Sequence, residues 1–161
     1  MNLLFVILSI FSGSEEGDPL KKLLKQYNKE TVPYIYVNEV DSLGNYHLLD
    51  SRETVEYDVS HLHGAQCVGY DSFNIQEVLN MVPNKQDTIV VYCSLGIRSE
   101  DIGEKLQEAG YTHVYNLYGG IFEWKNEEKE VYDSENEVTE EVHAFSVDWG
   151  KWLCKGVKIY K

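Results

Sequence analysis

The sequence predicts an α/β domain, a doubly wound sheet of mainly parallel strands with helices on both faces. Three observations carry that expectation. Short apolar runs alternate with segments of helical period along the middle of the chain, the order that βαβ units produce. One run, Thr88–Tyr92, is rich in β-branched residues and reads as a central strand buried on both faces. The segment after it, residues 99–109, sets Ile102, Leu106 and Ala109 on one helical face. Gly110 follows, where a left-handed residue closes the last turn.

The elements follow in order. Residues 3–11 are apolar apart from Ser9 and lead into Ser12-Gly13-Ser14 and Glu15-Glu16. This is the form of a secretory h-region and cleavage site, with Ser12 and Ser14 at the −3 and −1 positions, although no Lys or Arg precedes it. The run is shorter than the roughly 20 residues a bilayer span needs. Residues 1–14 are therefore expected to be a signal peptide directing export, to a bacterial periplasm. The alternative is a buried N-terminal strand or helix in a cytoplasmic protein. Residues 15–31 form a helical extension: Leu20, Leu23, Leu24 and Tyr27 share a face of a helix over 18–28, with Asp18 as cap and Pro19 in its first turn.

Residues 34–37 and 47–49 are short apolar runs of strand type. Val55 and Tyr57 belong to a short helix begun by Arg52-Glu53 and ended before Gly64, and Ile75–Met81 forms another. Beyond the central strand and its helix come a strand, His113–Leu117, a turn at Gly119-Gly120 and a short helix over 121–125. From 123 to 141 the chain is acidic and poor in apolar residues, which predicts a solvated, mobile surface stretch. Residues 143–160 regain Phe145, Val147, Trp149, Trp152 and Leu153, expected to pack back on the domain or else to form a partner-binding face. No repeat or Pro- or Gly-rich linker divides the 161 residues, which suit one domain.

Charge removes some functions. There are 27 acidic against 14 basic residues, a formal net charge of −13, which argues against nucleic acid and anionic membrane surfaces as partners. Cys67, Cys93 and Cys154 are too few and scattered for a disulfide scaffold, and no Cys/His cluster has zinc-ligand spacing, so no metal is expected. The odd count leaves one thiol unpaired within a monomer.

The chemistry centres on Cys93. A buried strand runs into it, a short loop follows, and a helix begins near Ser99. Sites in open α/β sheets lie beyond the carboxyl ends of the strands. The helix aims its positive end and free N–H groups at the loop, and Arg98 adds a full charge. Both lower the thiol pKa from its free value of about 8.5 and make thiolate available. Cys67, in an apolar strand, is expected to be inert, and Cys154, near the terminus, exposed.

Cys93-Ser94-Leu95-Gly96-Ile97-Arg98-Ser99 resembles the active-site loop of the rhodanese (sulfurtransferase) family, Cys-x-x-Gly-x-Arg-Ser. Leu48-Leu49-Asp50-Ser51-Arg52 resembles the family's strand ending in Asp-x-Arg, and Glu56-Tyr57 its acidic-aromatic pair. His61-Leu62-His63-Gly64-Ala65 is similar to its His-Ile-Pro-Gly-Ala motif. Ala109-Gly110-Tyr111, the run Val114 through Gly120, and Trp124 resemble its closing segments. The likeness covers residues from about Val32 to Lys125. It sets a rhodanese-like domain at 32–126, followed by an acidic stretch and aromatic extension at 127–161.

The resemblance implies a persulfide intermediate on Cys93, formed from thiosulfate or a related small-molecule donor and passed to cyanide, a thiol or a protein acceptor. It implies no cofactor. Loop N–H groups from Ser94, Leu95, Gly96, Ile97, Arg98 and Ser99 would cradle the outer sulfur. Arg98 would orient the donor's oxyanion or be structural. Arg52 would contact the donor or serve as an ion-pair partner, Asp50 is structural, and His61 is a helix-end hydrogen-bonding residue. Ser94 stands where some members carry a basic residue, which predicts modest thiosulfate affinity. His63 replaces the usual Pro, and Cys67 falls where Asn is frequent. Two rivals remain. Cysteine phosphatases have five residues between Cys and Arg, whereas here there are four. A non-catalytic rhodanese module for partner docking or redox sensing is the other.

Overall fold

The computed structural model describes residues 17–161; the signal peptide read from residues 1–14 lies outside them. Among the described residues no helix is long and apolar enough to cross a membrane. The chain opens with α1 (Pro19–Tyr27), whose Asp18 cap accepts a hydrogen bond from the Leu20 N–H at 2.9 Å. It continues through β1 (Tyr34–Ile35), α2 (Val37–Val40), β2 (His47–Asp50), α3 (Thr54–Val59), β3 (Gln66–Cys67), α4 (Ile75–Met81), β4 (Thr88–Tyr92), α5 (Arg98–Glu108), β5 (His113–Leu117) and α6 (Gly120–Asn126). Beyond these lie β6 (Val131–Tyr132), β7 (Val138–Thr139), β8 (Glu141–His143), α7 (Val147–Gly150) and β9 (Val157–Ile159).

The main sheet has the order β1-β5-β4-β2-β3, and every pairing is parallel. Strand β4 lies at its centre, with Ile89 through Tyr92 fully buried. Side chains alternate across a strand, so β4 feeds two cores. Val90 and Tyr92 pack with Leu24, Leu117, Ile121 and Phe122 on one face. Ile89 and Val91 pack with Ile102, Leu106 and Val114 on the other. The β-branched run supplies apolar side chains to both faces, which is why it takes the central place. Parallel strands put their carboxyl ends on one edge, and the loop after β4 emerges there.

Three expectations are corrected. The 34–37 run is strand only at Tyr34–Ile35; Glu39 accepts from the Tyr36 N–H at 3.0 Å and turns the chain into α2 at Val37. Helix α5 begins at Arg98, one residue early. The acidic stretch is largely exposed, as its composition predicts, but it is not irregular. Strands β6 and β7 form an antiparallel hairpin, turned by Asn136 at φ 63°, and Val131 is completely buried. Tyr132 exchanges both backbone hydrogen bonds with His61, at 2.8 and 2.9 Å. One buried valine and one backbone bridge hold a segment whose composition reads as solvated. The C-terminal extension packs on the domain through Val142 and Leu153, with Trp149 and Trp152 against them, and β8 pairs in parallel with β9.

Candidate active site

Cys93 follows the last residue of β4, and its side chain sits at the floor of a pocket with the residue only 2% exposed. The Gly96 N–H donates to Sγ at 3.1 Å. Gly96 has φ 103°, a region closed to side chains at ordinary cost, and a Cβ there would meet the Leu117 carbonyl at 3.3 Å. Its carbonyl accepts from Asn28 Nδ2 and Asn116 Nδ2, both at 2.8 Å, which fixes the apex of the loop. The carbonyls of Cys93 and Ser94 accept from the Ile121 and Phe122 N–H groups at 2.9 and 3.1 Å, in the first turn of α6. A Cβ on Gly120 would lie 2.2 Å from the Cys93 carbonyl, so only glycine lets α6 approach this closely.

Ser99 Oγ stands 3.5 Å from Sγ and 2.7 Å from Asn116 Oδ1. One hydroxyl proton serves two acceptors, and Asn116 holds it in the shorter bond. Burial pushes the Cys93 thiol up, but the Arg98 charge, the Ser99 hydroxyl and the N–H groups of Ser99 and Gly96 outweigh it, leaving the thiol below its ordinary value. Cys67 differs: burial and the Asp50 charge hold its thiol up. Cys154 is exposed. His61 Nδ1 donates to the Tyr57 carbonyl at 3.1 Å at the end of α3, as expected of a helix-end residue.

Arg98 does not reach into the pocket as a free cation. Its Nη1 and Nη2 each donate at 2.7 Å to one carboxylate oxygen of Glu56, and its guanidinium covers the Phe145 ring at 4.9 Å. The side chain is 17% exposed. Burial pushes the Glu56 carboxyl up, but Arg98 and then Arg52 more than offset it, so the group lies below its ordinary value. His143 stands 4.0 Å from Glu56. Arg52, read as a donor contact or an ion-pair partner, sits in an ion pair with Asp50. It is wholly buried, donates from Nε and Nη2 to Asp50 and from the same Nη2 to the Ser60 carbonyl at 2.7 Å, and takes no part in the pocket wall.

The pocket measures about 240 Å³ and is walled by Ser94, Leu95, Ile97 and Arg98 from the loop, and by Phe145 and Trp149 from the C-terminal extension. Gly96 and Ser99 touch Sγ from behind without joining that wall. Sequence reasoning missed five contributors. Asn28 and Asn116 shape the loop from distant elements, Glu56 was noted only as part of a motif, and Phe145 and Trp149 come from a segment read as a satellite of the core. Glu56 and Asn116 left a signal through their motif matches, in Glu56-Tyr57 and in the run Val114 through Gly120; the other three left none. Among the described residues no cluster of His, Cys, Asp and Glu is arranged to hold a metal.

Residues 36–127 match the family model of the rhodanese-like domain, and the chain belongs to that family. Its relatives are diverse. Over 77 residues it is 36% identical to MoeZ of Mycobacterium tuberculosis, described as a probable adenylyltransferase/sulfurtransferase, covering 48% of this chain and 19% of that protein. Over 109 residues it is 36% identical to the tRNA uridine(34) hydroxylase of Listeria welshimeri, covering 63% of this chain and 34% of that one. The chain thus spans about a third or less of either relative. Among solved structures, the thiosulfate sulfurtransferase from Pseudomonas aeruginosa superposes with a TM-score of 0.62 at 22% identity, over 84% of this chain and 26% of that one. A rhodanese-like domain of the Alr3790 protein from Anabaena superposes at 0.55 and 21% identity, over 63% and 79%. At these identities the likeness is one of fold.

Proposed function

We propose that the domain is a sulfurtransferase that receives a sulfane sulfur on Cys93 and passes it to a thiophilic acceptor. The observation that carries this reading is the Cys93 Sγ, held by the Gly96 N–H at 3.1 Å beneath a pocket, with its thiol below the ordinary value. With thiosulfate, the Cys93 thiolate attacks the outer sulfur, the S–S bond breaks, and sulfite leaves with the electron pair. The persulfide remains on Cys93. Cyanide, a thiol or a protein acceptor then attacks the terminal sulfur and returns Cys93 to the thiolate. Both steps are displacements at sulfur, and the loop N–H groups lower their cost by holding negative charge in place. Family membership and the sulfurtransferase in the printed name of MoeZ support the class.

The test is thiocyanate formation from thiosulfate and cyanide. Wild type should turn over and Cys93→Ser should not. Full turnover by Cys93→Ser rejects the reading. Action after export, read from residues 1–14, belongs to the same proposal. N-terminal sequencing of the protein from its native host tests it, and a chain still carrying residues 3–11 in the cytoplasm rejects it.

A further inference from the structure

The pocket over Cys93 carries little free charge in its wall. Among the described residues that wall it, Arg98 alone is charged, and both of its outer nitrogens donate to Glu56, Nη2 also to Ser94 Oγ at 3.2 Å. Arg52 beneath is ion-paired with Asp50. Two cations and two anions cancel, so a thiolate on Cys93 leaves the neighbourhood negative, in a chain whose formal net charge is −13. A dianion is repelled at short range and at long range.

Apart from the Ser94 hydroxyl, which lies against Arg98 and Glu56, the rest of the wall above Cys93 is apolar. Leu95 and Ile97 come from the loop, while Phe145 and Trp149 lie beyond residue 127, where the family match ends. Phe145 is 49% exposed and has φ 64°, a backbone state costly for a bulky residue. Its N–H donates to His143 Nδ1 at 3.2 Å, which holds it there. Trp149 is braced by the Tyr27 ring, edge on at 5.6 Å. A strained, half-exposed ring at the mouth of a site is a place where a ligand surface belongs. A cavity of about 150 Å³ holds a benzene ring, and this one measures about 240 Å³.

Granting the sulfur-transfer reading, we infer that the site takes organic sulfane-sulfur donors whose apolar, aromatic end rests on Phe145 and Trp149, in preference to thiosulfate. With an arenethiosulfonate, the Cys93 thiolate attacks the terminal sulfur and the S–S bond breaks. The arenesulfinate leaves with the electron pair, and the persulfide anion stays on Cys93. One negative charge enters on each reactant and one leaves on each product.

The experiment compares kcat/KM for persulfide formation with benzenethiosulfonate, methanethiosulfonate and thiosulfate. The first two share charge and reacting group and differ in the ring. Benzenethiosulfonate should exceed methanethiosulfonate by roughly tenfold, the scale of one aromatic contact, with thiosulfate slowest. Phe145→Asn keeps a residue that tolerates the left-handed backbone and removes the ring; Trp149→Ala removes the other. Each should lower the benzene-to-methane ratio several-fold. Because that ratio is taken within one protein sample, loss of folded material cancels from it. Equal rates for the two thiosulfonates in wild type, or a ratio that neither substitution moves, overturns the donor class and leaves sulfur transfer standing. No persulfide from any of the three overturns the sulfur-transfer reading itself.

Discussion

Glu56 and Arg98 face each other in a bidentate ion pair, Nη1 to Oε2 and Nη2 to Oε1 both at 2.7 Å. The pair ties α3 to the start of α5 and engages both outer nitrogens of a guanidinium that lines the pocket. From there Arg98 acts on the Cys93 thiol through its field, which holds the thiol down.

Removing Glu56 should have two effects of opposite value. Glu56→Ala leaves a mostly buried guanidinium unpaired, so the domain should lose on the order of 3 kcal/mol of stability in denaturant titration. The uncompensated Arg98 charge should also lower the Cys93 thiol further and tighten thiosulfate binding. Iodoacetamide rates against pH and KM for thiosulfate read both. An alkylation profile unmoved by the change would mean that the arginine field does not reach the thiol.

His143 makes stability depend on pH near neutrality. Its Nδ1 accepts the Phe145 N–H, and burial, with Arg52 and Arg98, holds its pKa below the ordinary value against an opposing pull from Glu56. A depressed folded value means that the unfolded chain binds the proton first. Stability is then full above about pH 6.5 and falls as the pH drops from there toward the folded value. Glu56 acts in the same sense but lower, below its own unfolded value of about 4.3. Urea titrations between pH 7.5 and 5.5 should show the loss, and His143→Gln should flatten it. An equal slope in the variant assigns the effect elsewhere.

Gly96 is the loop position where a side chain does most harm. Gly96→Ala puts a Cβ in left-handed backbone and 3.3 Å from the Leu117 carbonyl, at a cost of about 1–3 kcal/mol. As the loop yields, its N–H leaves Sγ and the thiol pKa should rise. The signature is a lower Tm together with an alkylation profile shifted to higher pH. A lower Tm with an unshifted profile would separate the glycine's role in folding from the thiol.

The strand-loop-helix around Cys93 was legible because each part has a local cause: β-branched burial in β4, a glycine at the loop apex, a helix of regular period after it. The extension's share of the site was not. Phe145 reaches the pocket through one left-handed residue held by His143, a tertiary contact with no periodic trace in sequence. Arg52 and Arg98 look alike in sequence, and only their carboxylate partners, Asp50 two residues away and Glu56 forty-two away, decide what each can do. Composition read the acidic stretch as solvated, which most of its residues are, but it averages over residues and so hid the one buried Val131 that anchors the hairpin.

That hairpin gives a direct check. The Tyr132 N–H, bonded to the His61 carbonyl at 2.9 Å, should exchange slowly with deuterium, whereas the N–H groups of an unstructured acidic strap exchange fast. Val131→Ala should cost about 2 kcal/mol through lost burial and the cavity left behind. Fast exchange at Tyr132 and an unchanged melt would return the segment to solvent.

The most direct measurement is peptide mass spectrometry of the purified protein after exposure to thiosulfate and to benzenethiosulfonate, with Cys93→Ser alongside. The expected result is an increment of ~32 Da, one sulfur, on the Cys93 peptide alone. The peptides of Cys67, whose thiol is held up, and of Cys154, which is merely exposed, should stay unmodified. Sulfur found on Cys154 rather than Cys93, or on no cysteine with either donor, contradicts a persulfide carried by Cys93.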